Sequence, residues 1–426
     1  EKAIYIATSG RKGPVLIDLP MDISRAEINP DTMQGYIKDE CEEVAFDESY
    51  VQKLISDSKC PMVLIGGGCY NCGDILNGFV KNNNIPVVTS LMGRGIIDET
   101  YENYIGMIGS YGNRCANIAI QKADLLIALG TRLDTRQTGA MYEEFLKNGI
   151  IIHVDIDENE LKYHRLQNRV QVCSSVKTFV EKISNKCYFN EHDKWNLFCK
   201  RMSQLYSQDR EIERFVDNKM PYCLFQTLNE ITKEGDVITA DVGQNEMWAA
   251  QTIRLKKNQK FICSGGLAPM GFSLPAAIGS AFANPKKNVY CITGDGGFHI
   301  SIQSLLLVSQ YNLNIKIIIL NNKSLGMITQ FQHLYFNDRM SGTTNESGYL
   351  VPDFKYAAKM YRIPYYMISN KNLNTSTFEV DGYCLFDYYI NGLTSVYPKL
   401  EYNKPINIQI PLLEKSEIEE IENASL

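Results

Sequence analysis

The sequence lacks the features that mark several classes of protein. Its 426 residues include 43 Lys and Arg against 49 Asp and Glu, so the net charge is −6 and there is no basic excess for nucleic acid or anionic lipid. No apolar run approaches the length needed to span a bilayer. Internal repeats and low-complexity tracts are also absent. We therefore expect neither nucleic acid nor a membrane among the partners.

Histidine and cysteine are present without the spacing of a metal site. Twelve cysteines are scattered and mostly apolar in their surroundings, which is typical of reduced thiols in a cytosol and predicts a cytoplasmic protein. Cys69 and Cys72 form a CxxC pair, but no second pair or histidine accompanies it, which favours chance spacing over a redox or zinc site. Isolated histidines are more often surface or core residues than metal ligands, and five are scattered here: His153, His164, His192, His299 and His333.

The alternation of apolar and helical stretches predicts two domains of one fold class. Short apolar runs, each followed by glycine or a short polar residue, lie at 62–65, 86–89, 125–129 and 150–154, and then at 237–240, 260–263, 288–293 and 315–320. This pattern is typical of parallel sheets wrapped by helices, whose ligand crevice lies at the carboxyl ends of the strands. We predict an α/β fold with two Rossmann-like, doubly wound parallel-sheet domains. A dehydrogenase is disfavoured because no G-x-G-x-x-G follows a strand.

The same pattern gives approximate domain limits. We predict an N-terminal segment and linker at 1–39, a middle domain at 40–187, a charged helical connector at 188–220 and a second α/β domain at 221–426. The chain begins EKAIYIATSG, without an initiator Met or a signal peptide, so we expect further sequence upstream.

The most specific motif lies between residues 288 and 330. An apolar strand meets the GDGG of residues 294–297, a helix is predicted to start near Phe298, and a second strand leads to Asn321 and Asn322. A strand–helix–strand crossover makes the two strands parallel, so Asp295 and Asn322 are expected at one sheet edge. A carboxylate and an amide oxygen beside glycines and a helix start suit Mg²⁺ and a diphosphate. A tight turn and a polar loop would be the ordinary alternative, but the two motifs at this spacing favour the site.

These residues resemble the signature of thiamine diphosphate enzymes, and their surroundings resemble acetolactate synthases. The resemblance includes DVGQNEMWAAQ at 241–251, SGGLAPMGFSLPAAIGSA at 264–281, NNKSLGMITQF at 321–331, TRLDTRQTG at 131–139 and HVDIDENEL at 153–161. It implies that Mg²⁺ is held by Asp295, Asn322 and the backbone carbonyl of Ser324. The resemblance also implies that thiamine diphosphate is bound by Gln244, Asn245, Ala268, Met270, Gly294, Gly296, Gly297, Leu325, Gly326, Met327 and Ile328.

The resemblance also implies roles for single residues. Met270, between Pro269 and Gly271, would be the apolar wedge that bends the cofactor, although a lone methionine is more often a core residue. Asn245 stands where the family usually has His, and Asn can still donate a hydrogen bond. Phe331 stands where acetolactate synthases carry a Trp that shapes the choice of the second keto acid. That Phe331 is an ordinary core residue is an equally good interpretation of the sequence.

A second cofactor is implied for the middle domain. In acetolactate synthases this domain binds FAD, and the matching positions here are Leu91, Met92, Gly130, Thr131, Arg132, Asp134, Arg136, Asp155 and Ile156. Tyr111 replaces a family His and Ser175 replaces a family Asp, so a vestigial pocket or an ADP site is the alternative. We put FAD slightly ahead.

The implied function is that of a thiamine diphosphate-dependent transferase. An acetolactate synthase-like carboligase would decarboxylate pyruvate and join the two-carbon unit to a second 2-keto acid, as a homodimer or homotetramer, in branched-chain amino-acid biosynthesis. In the family an upstream pyrimidine-binding domain supplies an activating glutamate and ends in a segment like SGRKGPVLIDLPMDI, here at 9–23. We expect that a piece of about 150 to 180 residues is missing and that this chain alone is inactive.

Two alternatives remain open at this point. One is a thiamine diphosphate enzyme that acts on another 2-keto acid or on an activated sugar in surface polysaccharide synthesis, because the sequence beyond residue 340 resembles proteins encoded with such pathways. The other is a non-catalytic, truncated binding module.

Overall fold

Two parallel six-stranded sheets with flanking helices form the chain. The computed structural model describes residues 1–37, 46–184, 189, 191–424 and 426. Within these residues each sheet is built from strands that alternate with helices along the sequence. The predicted α/β class with two doubly wound parallel sheets is confirmed. The predicted domain limits near 39 and 187 lie outside the described residues, and the limits as a whole stay a prediction.

The first sheet has the strand order of a dinucleotide-binding fold. Its strands lie side by side in the order β3-β2-β1-β4-β5-β6, and all neighbours are parallel. The order reverses between β1 and β4, where crossover helices leave on opposite faces and open a crevice. The strands are β1 Pro61–Ile65, β2 Val87–Thr89, β3 Tyr104–Met107, β4 Leu125–Leu129, β5 Ile150–Asp155 and β6 Arg169–Cys173.

The second sheet places three glycine-rich or polar loops together. Its order is β11-β12-β10-β9-β7-β8, again parallel throughout, so β9 lies between β7 and β10. The loops that follow these three strands therefore leave from the same edge. The strands are β7 Val237–Ala240, β8 Lys260–Ile262, β9 Val289–Gly294, β10 Ile315–Asn321, β11 Tyr365–Ile368 and β12 Cys384–Tyr389.

Helices cover both faces of each sheet. The α-helices are α1 Lys2–Thr8, α2 Met21–Ser24, α3 Glu48–Asp57, α4 Gly73–Asn82, α5 Arg114–Lys122, α6 Thr135–Thr138, α7 Glu158–Lys162, α8 Val176–Ser184, α9 Asp193–Leu205, α10 Gln208–Phe215, α11 Met220–Ile231, α12 Gln244–Thr252, α13 Ser273–Ala283, α14 Asp295–Ser301, α15 Leu305–Gln310, α16 Gly326–Tyr335, α17 Phe354–Met360 and α18 Lys415–Glu422. Short 3₁₀ turns lie at Pro30–Thr32, Gly67–Cys69, Leu91–Gly93, Tyr142–Glu144, Ile302–Ser304, Asn345–Ser347 and Thr375–Phe378. No helix of the described residues is long and apolar enough to cross a membrane.

Alternate residues of the strands build separate cores on the two faces. In β1, Met62 and Leu64 belong to one buried cluster, while Val63 and Ile65 belong to another. Strands buried on both faces are continuously apolar, as parallel sheets require. In the connector, α9 packs on one side: Trp195 is buried and donates its indole N–H to the carbonyl oxygen of Pro61 (2.8 Å), while Leu197 is exposed.

The C-terminal segment, residues 391–424, runs back across the first domain. It contains a small antiparallel ladder of β13 Lys399–Leu400 and β14 Gln409–Ile410. The backbone N–H of Leu400 donates to the carbonyl oxygen of Ser110 (2.7 Å), and Gln409 Nε2 donates to the carbonyl oxygen of Gly112 (2.8 Å). The segment therefore connects the two sheet domains beside their strand ends.

Candidate functional site

Asp295 lies at the carboxyl end of β9, in the middle of the three adjacent loops. It is the first residue of α14 and is buried, with 2% of its surface exposed. The prediction that the helix starts near Phe298 was therefore wrong by three residues. The glycines of the GDGG turn do not break the helix, and Gly297 packs so closely on Asp241 that an added Cβ would lie 2.8 Å from Asp241 Oδ1. The helical turn thus includes the acid that the sequence singled out.

The Asp295 carboxylate is held from two sides. Oδ1 accepts a hydrogen bond from the hydroxyl of Tyr349 (2.7 Å), and Oδ2 accepts one from the backbone N–H of Lys323 (2.8 Å). Burial raises the pKa of Asp295 to about 6, and these hydrogen bonds oppose the rise. A buried carboxylate with this penalty is stabilised by a nearby cation.

Asn322 follows β10, whose end lies beside the end of β9 that carries Asp295. Asn322 Oδ1 accepts from the backbone N–H of Ser324 (3.2 Å), and Asn322 Nδ2 donates to Thr394 Oγ1 (3.1 Å). Lys323, between them, adopts a left-handed φ of 51°, and its N–H is the group that reaches Asp295. One carboxylate, one amide oxygen and nearby backbone carbonyls are the hard oxygen donors that Mg²⁺ accepts while it keeps water or phosphate oxygens. The described residues contain no cluster of three or more His, Cys, Asp or Glu for a metal.

Two glycines let the backbone of the site pack closely against neighbouring side chains. A Cβ on Gly326 would lie 2.1 Å from Gln244 Oε1, and a Cβ on Gly296 would lie 2.8 Å from both Met270 Cε and the Tyr349 hydroxyl. Only glycine lets the backbone approach this closely, and backbone N–H groups at such turns bind phosphate oxygens. The hard oxygen donors at the strand ends and the backbone N–H groups of the glycine turns therefore fit a magnesium diphosphate.

The amides of Gln244 and Asn245 are engaged within the protein. Gln244 Nε2 donates to the carbonyl oxygen of Thr394 (2.9 Å) and to Gln330 Oε1 (3.1 Å), and Gln244 Oε1 accepts from Thr394 Oγ1 (2.6 Å). Asn245 Nδ2 donates to the carbonyl oxygen of Asp241 (2.6 Å). A direct bond from either side chain to a diphosphate stays a prediction.

The loop that carries Met270 has an unusual backbone fixed by Asp241. Ala268 has φ 47° and Gly271 has φ 85°, and Asp241 accepts from the backbone N–H groups of Gly271 (3.0 Å) and Ser273 (3.1 Å). An alanine in the left-handed region is strained and persists only where its surroundings hold it. Met270 is 39% exposed and lines the site. The wedge role stays a prediction, but the loop holds the side chain beside Gly296.

One cavity of about 1260 Å³ joins both domains, and every predicted site residue lines it. Two contacts cross it: Cys263 Sγ lies 3.7 Å from Met92 Sδ, and the hydroxyl of Tyr111 lies 3.2 Å from Met327 Sδ. The second-domain lining includes Gln244, Asn245, Ala268, Met270, Gly294, Asp295, Gly296, Gly297, Asn322, Ser324, Leu325, Gly326, Met327, Ile328 and Phe331. The first-domain lining includes Leu91, Met92, Gly130, Thr131, Arg132, Asp134, Arg136, Asp155 and Ile156. Their roles stay predictions.

The first-domain half of the cavity lies at the point where the strand order reverses. The backbone N–H of Gly68 donates to the carbonyl oxygen of Gly130 (2.9 Å), and a Cβ on Gly66 would lie 2.3 Å from that oxygen. Arg132 and Arg136 supply positive charge, and burial raises the pKa of Asp155. Such a crevice accepts a nucleotide. A flavin there stays a prediction.

Sequence reasoning missed several residues at the site. Asp241 was part of a recognised motif and could have been found from it, because it directly follows β7. Tyr349 and Thr394 come from distant parts of the chain and contact Asp295, Asn322 and Gln244 only after folding. In the first domain, Cys69 and Cys72 carry free thiols, and Cys69 Sγ donates to the carbonyl oxygen of Leu129 (3.2 Å).

Comparison with known proteins gives two family matches. Residues 49–183 match the thiamine pyrophosphate enzyme central domain, and residues 241–379 match the thiamine pyrophosphate enzyme C-terminal TPP binding domain. The first range contains the first sheet and the second contains most of the second sheet.

Individual proteins that are similar to this chain point to the same family. The chain is 36% identical over 389 residues to acetolactate synthase 1, chloroplastic, of Oryza sativa subsp. japonica, with 87% of this chain and 60% of that protein covered. It is 34% identical over 421 residues to the acetolactate synthase large subunit of Porphyra purpurea, and this match covers 95% of this chain and 70% of that protein. It is 33% identical over 403 residues to the acetolactate synthase isozyme 2 large subunit of Escherichia coli (strain K12), and this match covers 93% of this chain and 72% of that protein. The chain thus spans 60% of the length of the rice relative.

Proposed function

Because this chain belongs to the thiamine pyrophosphate enzyme family and is similar to acetolactate synthase large subunits, we propose that it forms part of a carboligase. This enzyme decarboxylates pyruvate and joins the two-carbon unit to a second 2-keto acid. Its activity, substrates and assembly as a homodimer or homotetramer are proposals for the whole polypeptide.

The juxtaposition of Asp295 and Asn322 supports this proposal. Both lie at the carboxyl ends of adjacent strands, with Lys323 N–H bonded to Asp295 and the glycines at 296 and 326 beside them. A buried acid, an amide oxygen and glycine turns with backbone N–H groups together suit a Mg²⁺ ion that carries a diphosphate.

The residues of the chain would orient the cofactor and exclude water. Asp295, Asn322 and the carbonyl of Ser324 would hold Mg²⁺, and Met270 would press on the cofactor from the loop that Asp241 fixes. When bound, thiamine diphosphate supplies a nucleophilic carbon and a sink for the electrons released by decarboxylation. Apolar side chains of α16, namely Met327, Ile328 and Phe331, would enclose the reacting groups.

Further parts of the proposal concern the complete enzyme. We propose FAD for the first-domain half of the cavity, slightly ahead of ADP or a vestigial pocket, and absorbance of the purified full-length protein near flavin wavelengths tests it. The inactivity expected for this chain alone is tested by assaying it with and without the preceding polypeptide. The cytoplasmic location stays a prediction, and the rice relative carries the description chloroplastic.

The central experiment compares two carboxylate variants of the full-length protein. Asp295→Asn is expected to weaken Mg²⁺-dependent binding of thiamine diphosphate, measured by calorimetry, by about tenfold or more, and to abolish pyruvate consumption. Asp217→Asn removes an exposed carboxylate and is the control. Binding by Asp295→Asn that equals the wild type would refute the site.

Product analysis separates the proposed function from its alternatives. Pyruvate supplied with 2-oxobutyrate should give the mixed acetohydroxy acid. Conversion of an activated sugar or of another 2-keto acid in its place would favour the polysaccharide alternative. Cofactor binding by the full-length protein without turnover of any of these would favour a non-catalytic module.

A further inference from the structure

The C-terminal segment places a lysine ammonium group in the wall of the cavity. Lys399, in β13, is only 6% exposed and lines the cavity together with Phe331. Its Nζ donates to the hydroxyl of Tyr335 (2.8 Å) and to the carbonyl oxygen of Leu400 (3.3 Å). The ammonium also lies 5.3 Å from the ring centroid of Phe331 and 5.0 Å from that of Tyr335.

All of these partners are uncharged. Among the residues that the structure describes, no carboxylate lies within 4.0 Å of Lys399 Nζ, although Glu401 lines the same cavity two residues along. An ammonium group has three donors, and two are used. A buried charge is costly unless it is paired, so this group is suited to an anion that enters the cavity.

The position of Lys399 distinguishes this anion from the diphosphate. Gly326, at the diphosphate end of α16, precedes Phe331 by five residues, which corresponds to about 7.5 Å along the helix. The ammonium lies over the ring of Phe331 and therefore beyond the candidate magnesium site. Phe331, Met327 and Ile328 provide an apolar wall beside it.

We propose that Lys399 binds the carboxylate of the acceptor 2-keto acid and so determines which second substrate the enzyme uses. The inference deepens the proposed function and rests on it for the identity of the acceptor. The acyl chain of the acceptor would lie against the apolar wall of α16, and its carboxylate would take the free donor of the ammonium. The hydrogen bond to Tyr335 and the rings of Tyr335 and Phe331 hold the lysine in place.

A binding experiment on the full-length protein, loaded with thiamine diphosphate and Mg²⁺, tests this directly. The probes are oxamate, an unreactive carboxylate of the size of pyruvate, and its uncharged amide oxamide, both titrated by calorimetry. Wild-type protein should bind oxamate more tightly than oxamide. Lys399→Met should lose this preference, with an oxamate affinity about tenfold weaker. Lys399→Arg should retain most of the preference for oxamate. Lys404→Met, an exposed lysine of the same segment outside the cavity, is the matched control.

Kinetics add a second measurement. Lys399→Met should raise KM for 2-oxobutyrate as acceptor while kcat changes little, and it should leave transfer to the neutral acceptor acetaldehyde intact. Should Lys399→Met fold poorly, as judged by its melting temperature, Lys399→Gln removes the charge but keeps a polar head and gives the same expectation.

The outcomes separate the two proposals. Oxamate affinity that does not depend on Lys399 overturns the inference even if carboligation occurs. Oxamate affinity that depends on Lys399 in a protein that converts no pyruvate supports the anion site and overturns the proposed function. Inorganic phosphate is the competing probe. If phosphate displaces oxamate and binds with a lower Kd than oxamate does, the ligand is a phosphorylated compound and the carboxylate assignment is overturned.

Discussion

Glu246 carries a buried carboxyl group that is poorly compensated. It is 3% exposed in α12, forms no ion pair with a described residue, and its Oε1 has no hydrogen-bond partner. Burial raises its pKa from 4.5 to about 7, a hydrogen bond with the Cys263 thiol opposes this rise, and Asp241 raises the pKa further while Arg136 lowers it. The folded protein therefore binds a proton more tightly here than the unfolded chain does.

This shift predicts a pH-dependent stability. Between pH 4.5 and 7 the folded state holds a proton that the unfolded state has released, so the free energy of unfolding falls as the pH rises and levels off above 7. Glu246→Gln removes the titration and should stabilise the protein at pH 8 by about 3 kcal/mol at most, with little effect at pH 4.5. Melting temperatures of the cofactor-free protein across this range measure it. Glu230→Gln, at an exposed position, is the control, and a Glu246→Gln effect independent of pH would contradict the expectation.

Buried charged residues with and without an ion-pair partner have different functions in this protein. Arg94 is as deeply buried as Glu246, but it forms an ion pair with Glu99 (2.6 Å) and donates to the carbonyl oxygen of Ile253. It therefore joins the two sheet domains without leaving a charge uncompensated. Among the described residues, Lys399 and Glu246 form no ion pair, and both line the cavity, which is why we assign ligand binding to the first and pH sensitivity to the second.

At the level of elements, the start of α16 determines the shape of the part of the cavity where we propose that the diphosphate binds. Gly326 begins this helix directly after the Asn322 loop, and any side chain there would collide with Gln244 Oε1 and with Asn322 Nδ2. The helix can approach the β7 loop this closely because the position has no Cβ.

Gly326→Ala is therefore expected to displace both amides. The affinity for thiamine diphosphate with Mg²⁺, measured by calorimetry, should fall about tenfold or more, and unfolding should become easier by about 1 to 3 kcal/mol. Gly279→Ala is the matched control, because it lies in α13 of the same domain with no atom within 4 Å of the added Cβ. Wild-type affinity in Gly326→Ala would show that the loop and helix adjust freely.

At the level of the whole molecule, the cavity depends on three parts of the chain that meet. The two sheet domains supply its walls, and the C-terminal segment closes one side. Arg114 holds that segment: it forms a buried ion pair with Glu211 (2.9 Å) and donates to the carbonyl oxygens of Gln409 (3.0 Å) and Pro411 (2.7 Å).

Arg114→Met should release the C-terminal segment while both sheets stay folded. Backbone amides of residues 399–410 are expected to exchange with deuterium faster by about tenfold or more, because the loss of this cation leaves Glu211 buried and two carbonyls without their donor. Arg201→Met removes an exposed arginine that also pairs with the C-terminal segment, at Glu420, and should have little effect. Equal exchange in both variants would indicate that the segment is held by other contacts.

Local patterns in the sequence predicted the fold class, eight of the twelve strands of the two sheets and part of the site, but not β3, β6, β11 and β12. Apolar runs that end in glycine or polar residues predicted the strands, since buried parallel strands must be apolar and their ends must turn. The crossover rule then brought Asp295 and Asn322 together, because two parallel neighbours have only one shared carboxyl edge. The start of α14 was misplaced because a glycine-rich stretch can continue a helix when close packing favours it.

The remaining features depended on tertiary structure. The hydrogen bonds of Tyr349 to Asp295 and of Thr394 to Gln244 join residues separated by 54 and 150 positions, and no local pattern specifies such pairs. The position of Lys399 over Phe331 also follows only from the path of the C-terminal segment. The sequence by itself determined the fold class and where most of the buried strands end, because that follows from local burial and backbone geometry. Tertiary packing alone decided which distant side chains meet in one cavity, because that depends on how complete elements fit together.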